Sequence, residues 1–156
     1  MAKSRVITRD RGLGRILRQL NDGKGVQTST GVQGSEAPGG DHGTIGIANL
    51  AAVHEFGAPS VGIPQRSFIG ATFDAKINKY VETISDGLGK VIDRGGKVSD
   101  AMALAGEAHL ADIIRAIDSG ISPPNKPSTV DRKGSSKPLI DTGQLKQSLT
   151  TQTKFG

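Results

Sequence analysis

The sequence predicts an α+β fold: a small antiparallel β-sheet packed against a long antiparallel helix hairpin, with an extended N-terminal arm and a long Pro-rich loop. Three observations carry that prediction. Two helical periodicities, over residues 67 to about 93 and over 97–118, are separated only by Gly95-Gly96. Two alternating β-branched stretches lie at opposite ends of the chain, near residues 30 and 150, so their pairing is non-local. Between the second helix and the last strand, residues 119–138 hold four prolines and a basic run.

At 156 residues the chain fits a single domain with one modest core. It divides into a basic arm (1–12), a core (13–118 with 139–155) and an extended loop (119–138). Hydrophobic residues make up 35% and aromatics 3%, against 22 glycines and 7 prolines, so core-forming side chains are scarce and loops or arms long. With no cysteine, disulfides and thiolate metal sites are excluded, which suits a reducing cytoplasm. No apolar run reaches bilayer length and no signal-peptide stretch opens the sequence, so a soluble protein without a membrane partner is expected.

Taken in order, Leu13, Ile16, Leu17 and Leu20 recur at helical spacing with Arg11, Arg15 and Arg18 on the other side. Asp10 reads as the N-cap and Asn21-Asp22-Gly23 as the stop. Gly12 and Gly14 each weaken this helix by about 1 kcal/mol relative to Ala, so it needs something to pack on. Val26, Thr28, Thr30 and Val32 alternate with Gln27, Ser29 and Gly31 as a half-buried strand. Residues 34–43 are a glycine-rich loop. Residues 44–47 read either as a short strand or as the entry to a helix that ends near Phe56, with Gly57 as a left-handed cap.

In the long helix, Ile69, Phe73, Ile77, Tyr80, Val81, Ile84, Leu88 and Val91 fall on one side. In its partner, Val98, Met102, Ala105, Leu110, Ile113, Ile114 and Ile117 share a face opposite Asp100, Glu107, Arg115 and Asp118. The short connection makes the two antiparallel. Prolines at 123, 124, 127 and 138 argue against a helix or central strand in 119–138, which is expected to be exposed and extended. Asp141 or Thr142 is expected to cap a turn over Gly143 to Leu145. A strand over 148–155 follows, with Leu149, Thr151, Thr153 and Phe155 on one face.

The search for chemistry returns little. His54-Glu55 begins like a zinc-protease helix, but Ala58 stands where the second histidine would be. His109 lies on an apolar helical face and reads as a packed side chain; His42 sits in the glycine loop and reads as solvated. Neither Gly12-x-Gly14 nor Gly43-x-x-Gly46 matches a phosphate-cradling motif, and no nucleophile–base pair stands out among the 15 acids. A non-enzymatic protein without cofactor or metal is expected. The charge is more informative. Residues 1–24 hold seven basic side chains against two acids, equal to the whole net charge of +5. Arg5, Arg9, Arg11, Arg15 and Arg18 could meet phosphate or an acidic partner, or simply solvate a mobile end. Lys126, Arg132 and Lys133 form a second basic patch. Aromatic stacking platforms for single strands are missing.

Three segments remain: Val53-His-Glu-Phe-Gly57, Ile63-Pro-Gln-Arg-Ser-Phe68 and Leu139-Ile-Asp-Thr-Gly-Gln-Leu145. In this order the set resembles the virion-morphogenesis proteins of tailed bacteriophages, also termed tail-completion or head–tail joining proteins. The resemblance covers about residues 44–153; the basic N-terminal helix matches no motif of that family. It implies a structural subunit of the neck that forms a homo-oligomeric ring, six-fold by expectation, in contact with tail tube and head connector. It further implies a place in the virion at the head–tail junction, host cytoplasm during assembly, and transient contact with genomic DNA in the channel. Its structural residues would be Glu55, Phe56 and Gly57, then Pro64 fixing a turn, Arg66 making a charge-assisted contact at the helix start or across an interface, and Phe68 anchoring the turn. Asp141, Thr142, Gly143 and Leu145 would launch the last strand. The alternative from another class is a small, sequence-non-specific nucleic-acid-binding protein using its basic N-terminus.

Overall fold

The computed structural model describes residues 12–33 and 45–155. Arg5, Arg9, Arg11, Asp10, His42, Thr44 and the 34–43 segment lie outside the described residues. The elements are α1 (Leu13–Asp22), β1 (Val26–Val32), α2 (Ile47–Phe56), α3 (Gly70–Arg94), α4 (Val98–Ser119), α5 (Pro127–Lys133), α6 (Gln144–Gln147) and β2 (Leu149–Phe155). The α+β architecture is as expected. β1 and β2 pair antiparallel, from Val26 opposite Phe155 to Val32 opposite Leu149. Both the sheet and α3 pack on α4, which makes α4 the central element.

The sheet meets α4 through threonines. The Thr28 and Thr153 hydroxyls lie 2.8 Å apart, those of Thr30 and Thr151 3.3 Å, and Thr30 also donates to the Gly106 carbonyl at 3.4 Å. Gly106 permits this approach, because a Cβ there would run into Thr28 and Thr151. The apolar core is assembled at the other end of α4. Ile113 and Ile117, with no solvent exposure, pack with Ile47 and Ala51 of α2, with Phe68, and with Leu139, Leu145 and Leu149.

Several expectations are corrected. Of the two readings left open for residues 44–47, the helix entry is the one found, with Ile47 opening α2 and no strand described ahead of it. Gly57 has φ 78 and ψ 164, a positive φ but not the left-handed cap; Gln65 passes so close that a Cβ at Gly57 would lie 2.8 Å from its backbone nitrogen. α3 begins at Gly70 and not at Ser67, its first helical bond running from the Phe73 amide to the Ile69 carbonyl. Along α3, Tyr80 and Val91 are buried, whereas Phe73, Ile77 and Val81 are exposed; the apolar stripe is wider than the surface of α4 it meets. The 119–138 segment is not wholly extended, since Pro127–Lys133 is helical. Proline is tolerated there because Pro127 occupies the first turn, where its missing N–H costs no bond. α1 meets the hairpin through polar contacts, the exposed Arg15 donating to the Ile92 carbonyl at 3.0 Å and the half-buried Gln19 to that of Gly96 at 3.5 Å, while Ile16 is half-buried. Leu13, Leu17 and Leu20 are left exposed by 62%, 57% and 42%.

Candidate functional site

The site is built from the turn that follows α2. Ala58 and Ile63 exchange backbone bonds of 2.9 and 3.1 Å around a 3-10 turn at Pro59–Val61, and the Arg66 amide returns to the His54 carbonyl at 2.7 Å. The chain is thereby folded back on the end of α2. This brings Glu55 to the start of α3, where its carboxylate accepts four hydrogen bonds. The Ser67 hydroxyl donates at 2.6 Å, and the amides of Phe68, Ile69 and Gly70 each donate at 2.9 Å. Those amides have no intrahelical acceptor, and the positive end of α3 favours the negative charge. Burial pushes the Glu55 pKa up, but the Ser67 hydroxyl and the three amides more than offset this and hold it below 4.5. Glu55 is the cap of α3, supplied from another helix.

Arg66 emerges on the far side of the same turn. It is 7% exposed and donates through Nε to the Pro123 carbonyl at 2.8 Å. Its Nη2 donates to the Pro124 carbonyl at 3.2 Å and to Asn125 Oδ1 at 3.5 Å. The expected contact at the helix start is therefore replaced by a clamp on the 123–125 segment of the same chain. Phe68, fully buried, anchors the turn in the core as expected.

Asp141 and Thr142 do not cap α6. No side-chain bond closes that helix; Gly143, at φ 81, makes the turn through its backbone, its carbonyl receiving the Gln147 amide at 3.0 Å. Leu139 is held at φ 64, a region that branched or bulky residues rarely enter, while its side chain is buried.

These segments enclose a cavity of about 470 Å³. Pro64 and Arg66 line it from the first turn, Lys126, Arg132 and Lys133 from α5 and its approach, and Asp141, Thr142, Gly143 and Leu145 from the last segment. The structure thus brings together residues that the sequence offered as two separate groups, one structural and one basic. Phe56 stands apart, 74% exposed, and Arg15 and Arg18 are on α1, where Arg18 donates to the Gly14 carbonyl at 3.2 Å. Among the described residues, His54 Nδ1 and Gln144 Oε1, both from residues that line the cavity, are buried without a hydrogen-bond partner. Burial, then the charges of Arg66 and Lys133, lower the His54 pKa and keep the ring neutral at pH 7. Among the described residues no three His, Asp or Glu side chains gather as metal ligands, and no helix is long and apolar enough to cross a membrane.

A second constellation went unseen in the sequence. Asp112 of α4 is 1% exposed and receives Lys79 at 2.7 Å, Lys76 at 2.9 Å, Arg115 at 2.6 Å and the Tyr80 hydroxyl at 3.1 Å. Burial alone would raise its pKa, but the bonds from Lys79, Lys76 and Tyr80 prevail and hold it below the usual carboxylate range. Tyr80 is pushed up to about 12 by burial and by Asp112. His109 packs beside it, its ring 5.3 Å from Phe73 and 5.2 Å from Tyr80, with Nε2 3.3 Å from the Ile69 carbonyl. The cluster joins α3 to α4 where α3 is kinked at Lys76. Its sequence signal was an acid at the helical angle of Ala105 and Val98, inside the apolar arc of α4.

Comparison with known proteins adds no relative: no protein-family model matches the chain, and neither curated proteins nor solved structures give a match.

Proposed function

We propose that this chain is a structural subunit of the bacteriophage neck, which assembles into a homo-oligomeric ring that completes the tail or joins it to the head. The observation that carries the reading is α1, whose polar side is bonded to the α3–α4 hairpin while Leu13, Leu17 and Leu20 face outward. Full burial of a leucine is worth about 1.5–3 kcal/mol, so this stripe favours a second protein surface over water. Phe73, Ile77 and Val81 of α3 are exposed as well. The two-stranded sheet supports the same reading, since neither outer edge is paired among the described residues and each can receive a strand from a neighbour. The ordered set of three segments supplies the phage context, and the structure gives each segment a framework role. Glu55 caps α3, Arg66 clamps 123–125, and Gly143 turns the chain into α6 and β2.

The test is electron microscopy of the purified protein, alone and mixed with tail tubes, with mass measured in parallel. Rings or caps at one tube end are expected, and Leu17→Asp is expected to abolish them while leaving the circular dichroism spectrum unchanged. A strict monomer that ignores tubes and binds random duplex DNA with a steep salt dependence overturns the reading in favour of a nucleic-acid-binding protein.

A further inference from the structure

The cavity beside Arg66 holds more positive charge than the chain neutralises. Arg66, Lys126, Arg132 and Lys133 line it against one acid, Asp141. No carboxylate lies within ion-pair distance of Arg66 among the described residues. Two carbonyls and an amide oxygen solvate the guanidinium but leave its charge uncompensated, and Nη1 makes no bond among the described residues. A nine-tenths-buried cation in that condition is costly unless an anion arrives. The Lys133 ammonium donates to the Lys137 carbonyl at 3.1 Å and feels the charge of Asp141, the one acid on the cavity wall among the described residues.

The remaining wall defines the rest of the ligand. Leu50, Ile63, Pro64, Leu139 and Leu145 make it largely apolar. Gln144 Oε1 is an unmet acceptor, and His54 Nδ1, on a neutral ring, can donate or accept according to tautomer. Both atoms are closed off from solvent, so peptide N–H and C=O groups meet them once the two side chains turn toward the bound segment. The volume lies in the range of sites that enclose a drug-sized ligand or a few residues of peptide. Leu139, forced to φ 64 at the wall, is the kind of strained position that gathers at binding sites.

We propose that this cavity binds a short acidic, apolar peptide segment of a partner protein. A carboxylate meets Arg66 and Lys133, apolar side chains lie on Ile63, Leu139 and Leu145, and peptide groups reach His54 and Gln144. The proposal does not rest on the neck reading, because it follows from the cavity of one chain.

The test titrates the full chain with the pentapeptide Val-Glu-Leu-Glu-Leu, acetylated and amidated so that only side-chain carboxylates are charged. Calorimetry gives the affinity and amide NMR the location. Saturable binding is expected, with shifts at the Gln144 side-chain amide and the 63–66 turn. The Val-Gln-Leu-Gln-Leu peptide should bind at least about tenfold more weakly, the loss of one charge-assisted bond. Lys133→Gln, on a partly exposed lysine, should weaken binding by a similar factor with an unchanged melting temperature, whereas Lys90→Gln, remote on α3, should not. Arg66→Lys tests the guanidinium fork while keeping the charge, and should weaken binding about tenfold. Equal affinity for the two peptides, or no saturable binding, overturns the proposal. Inorganic phosphate competing as strongly as the peptide overturns it too, and assigns a simple oxyanion site.

Discussion

Removing the Glu55 carboxylate tests the central piece of the framework, the capping of one helix by a side chain from another. In Glu55→Ala the amides of Phe68, Ile69 and Gly70 and the Ser67 hydroxyl all lose their acceptor. Loss of an N-cap side chain costs about 0.5–2 kcal/mol, and loss of a negative charge at a helix N-terminus about 0.3–1 kcal/mol. Three amides are served here where an ordinary cap serves one or two, so the upper ends apply and the expected loss is about 2–3 kcal/mol. For a chain of this size that lowers the melting temperature by about 4–12 °C. Glu55→Gln should cost about half as much, because one oxygen still accepts while the new amide group opposes donors. Ser67→Ala, which leaves the three backbone bonds in place, should cost about 1 kcal/mol.

The pH dependence gives the sharper assay. The folded-state pKa of Glu55 is depressed, so its stabilisation is fully present above the unfolded value of 4.5 and is lost as pH falls through the folded value. Urea unfolding of wild type and Glu55→Gln, compared at pH 7 and at points below 4.5, should show a stability gap that narrows with acid. A gap of less than about 0.5 kcal/mol at pH 7, or one that stays constant down to pH 3, would refute the carboxylate cap.

Other perturbations have equally definite outcomes. Asp112→Asn leaves Lys76, Lys79 and Arg115 around a neutral group, but these cations are substantially exposed, so the change should cost about 1–3 kcal/mol by urea unfolding at pH 7. Because the Asp112 pKa is depressed, that difference should shrink only as pH falls below 3.8. Tyr80 is the one tyrosine of the chain, so ultraviolet titration near 295 nm should show ionisation centred near 12, moving down toward 10 in Asp112→Asn. Gly106→Ala drives a methyl into Thr28 and Thr151 and should destabilise by about 1–3 kcal/mol, reported by loss of amide protection in β1 and β2. Arg66→Ala releases the 123–125 carbonyls and should expose that segment to limited proteolysis, which Arg66→Lys should do only in part.

The periodic parts of the fold were legible. β1 was marked by alternating valines and threonines, β2 by Leu149, Thr151, Thr153 and Phe155 on one face, and α3 and α4 by apolar residues at helical spacing interrupted by Gly95-Gly96. The failures have physical causes. The cap of α3 is a carboxylate from α2, and nothing local to Ser67 announces that. α5 was hidden by its prolines, although Pro127 lies at the one helical position where proline is harmless. Asp112 was overlooked because an acid in an apolar arc acquires meaning only when Lys76 and Lys79 of the facing helix are known to reach it. The three motif segments were visible as bends; that they converge with the basic patch on one cavity is tertiary information.

The distribution of apolar surface ties these features together. The contact between sheet and α4, where a larger protein would place valine and leucine, is made by threonines that bond to one another and to Gly106. α1 carries leucines at helical spacing yet binds its own hairpin through Arg15 and Gln19. Turning α1 over would offer Leu13, Leu17 and Leu20 to the hairpin, but would sacrifice the bonds to the Ile92 and Gly96 carbonyls at the ends of α3 and the following turn. Each of those bonds is worth about 1 kcal/mol net, less than the burial of one leucine. On the proposed neck reading, the outward stripe is the surface that a neighbouring subunit covers. For a chain with 3% aromatics and a core at one end of α4, covering that stripe would then add apolar burial that the subunit's own core does not supply.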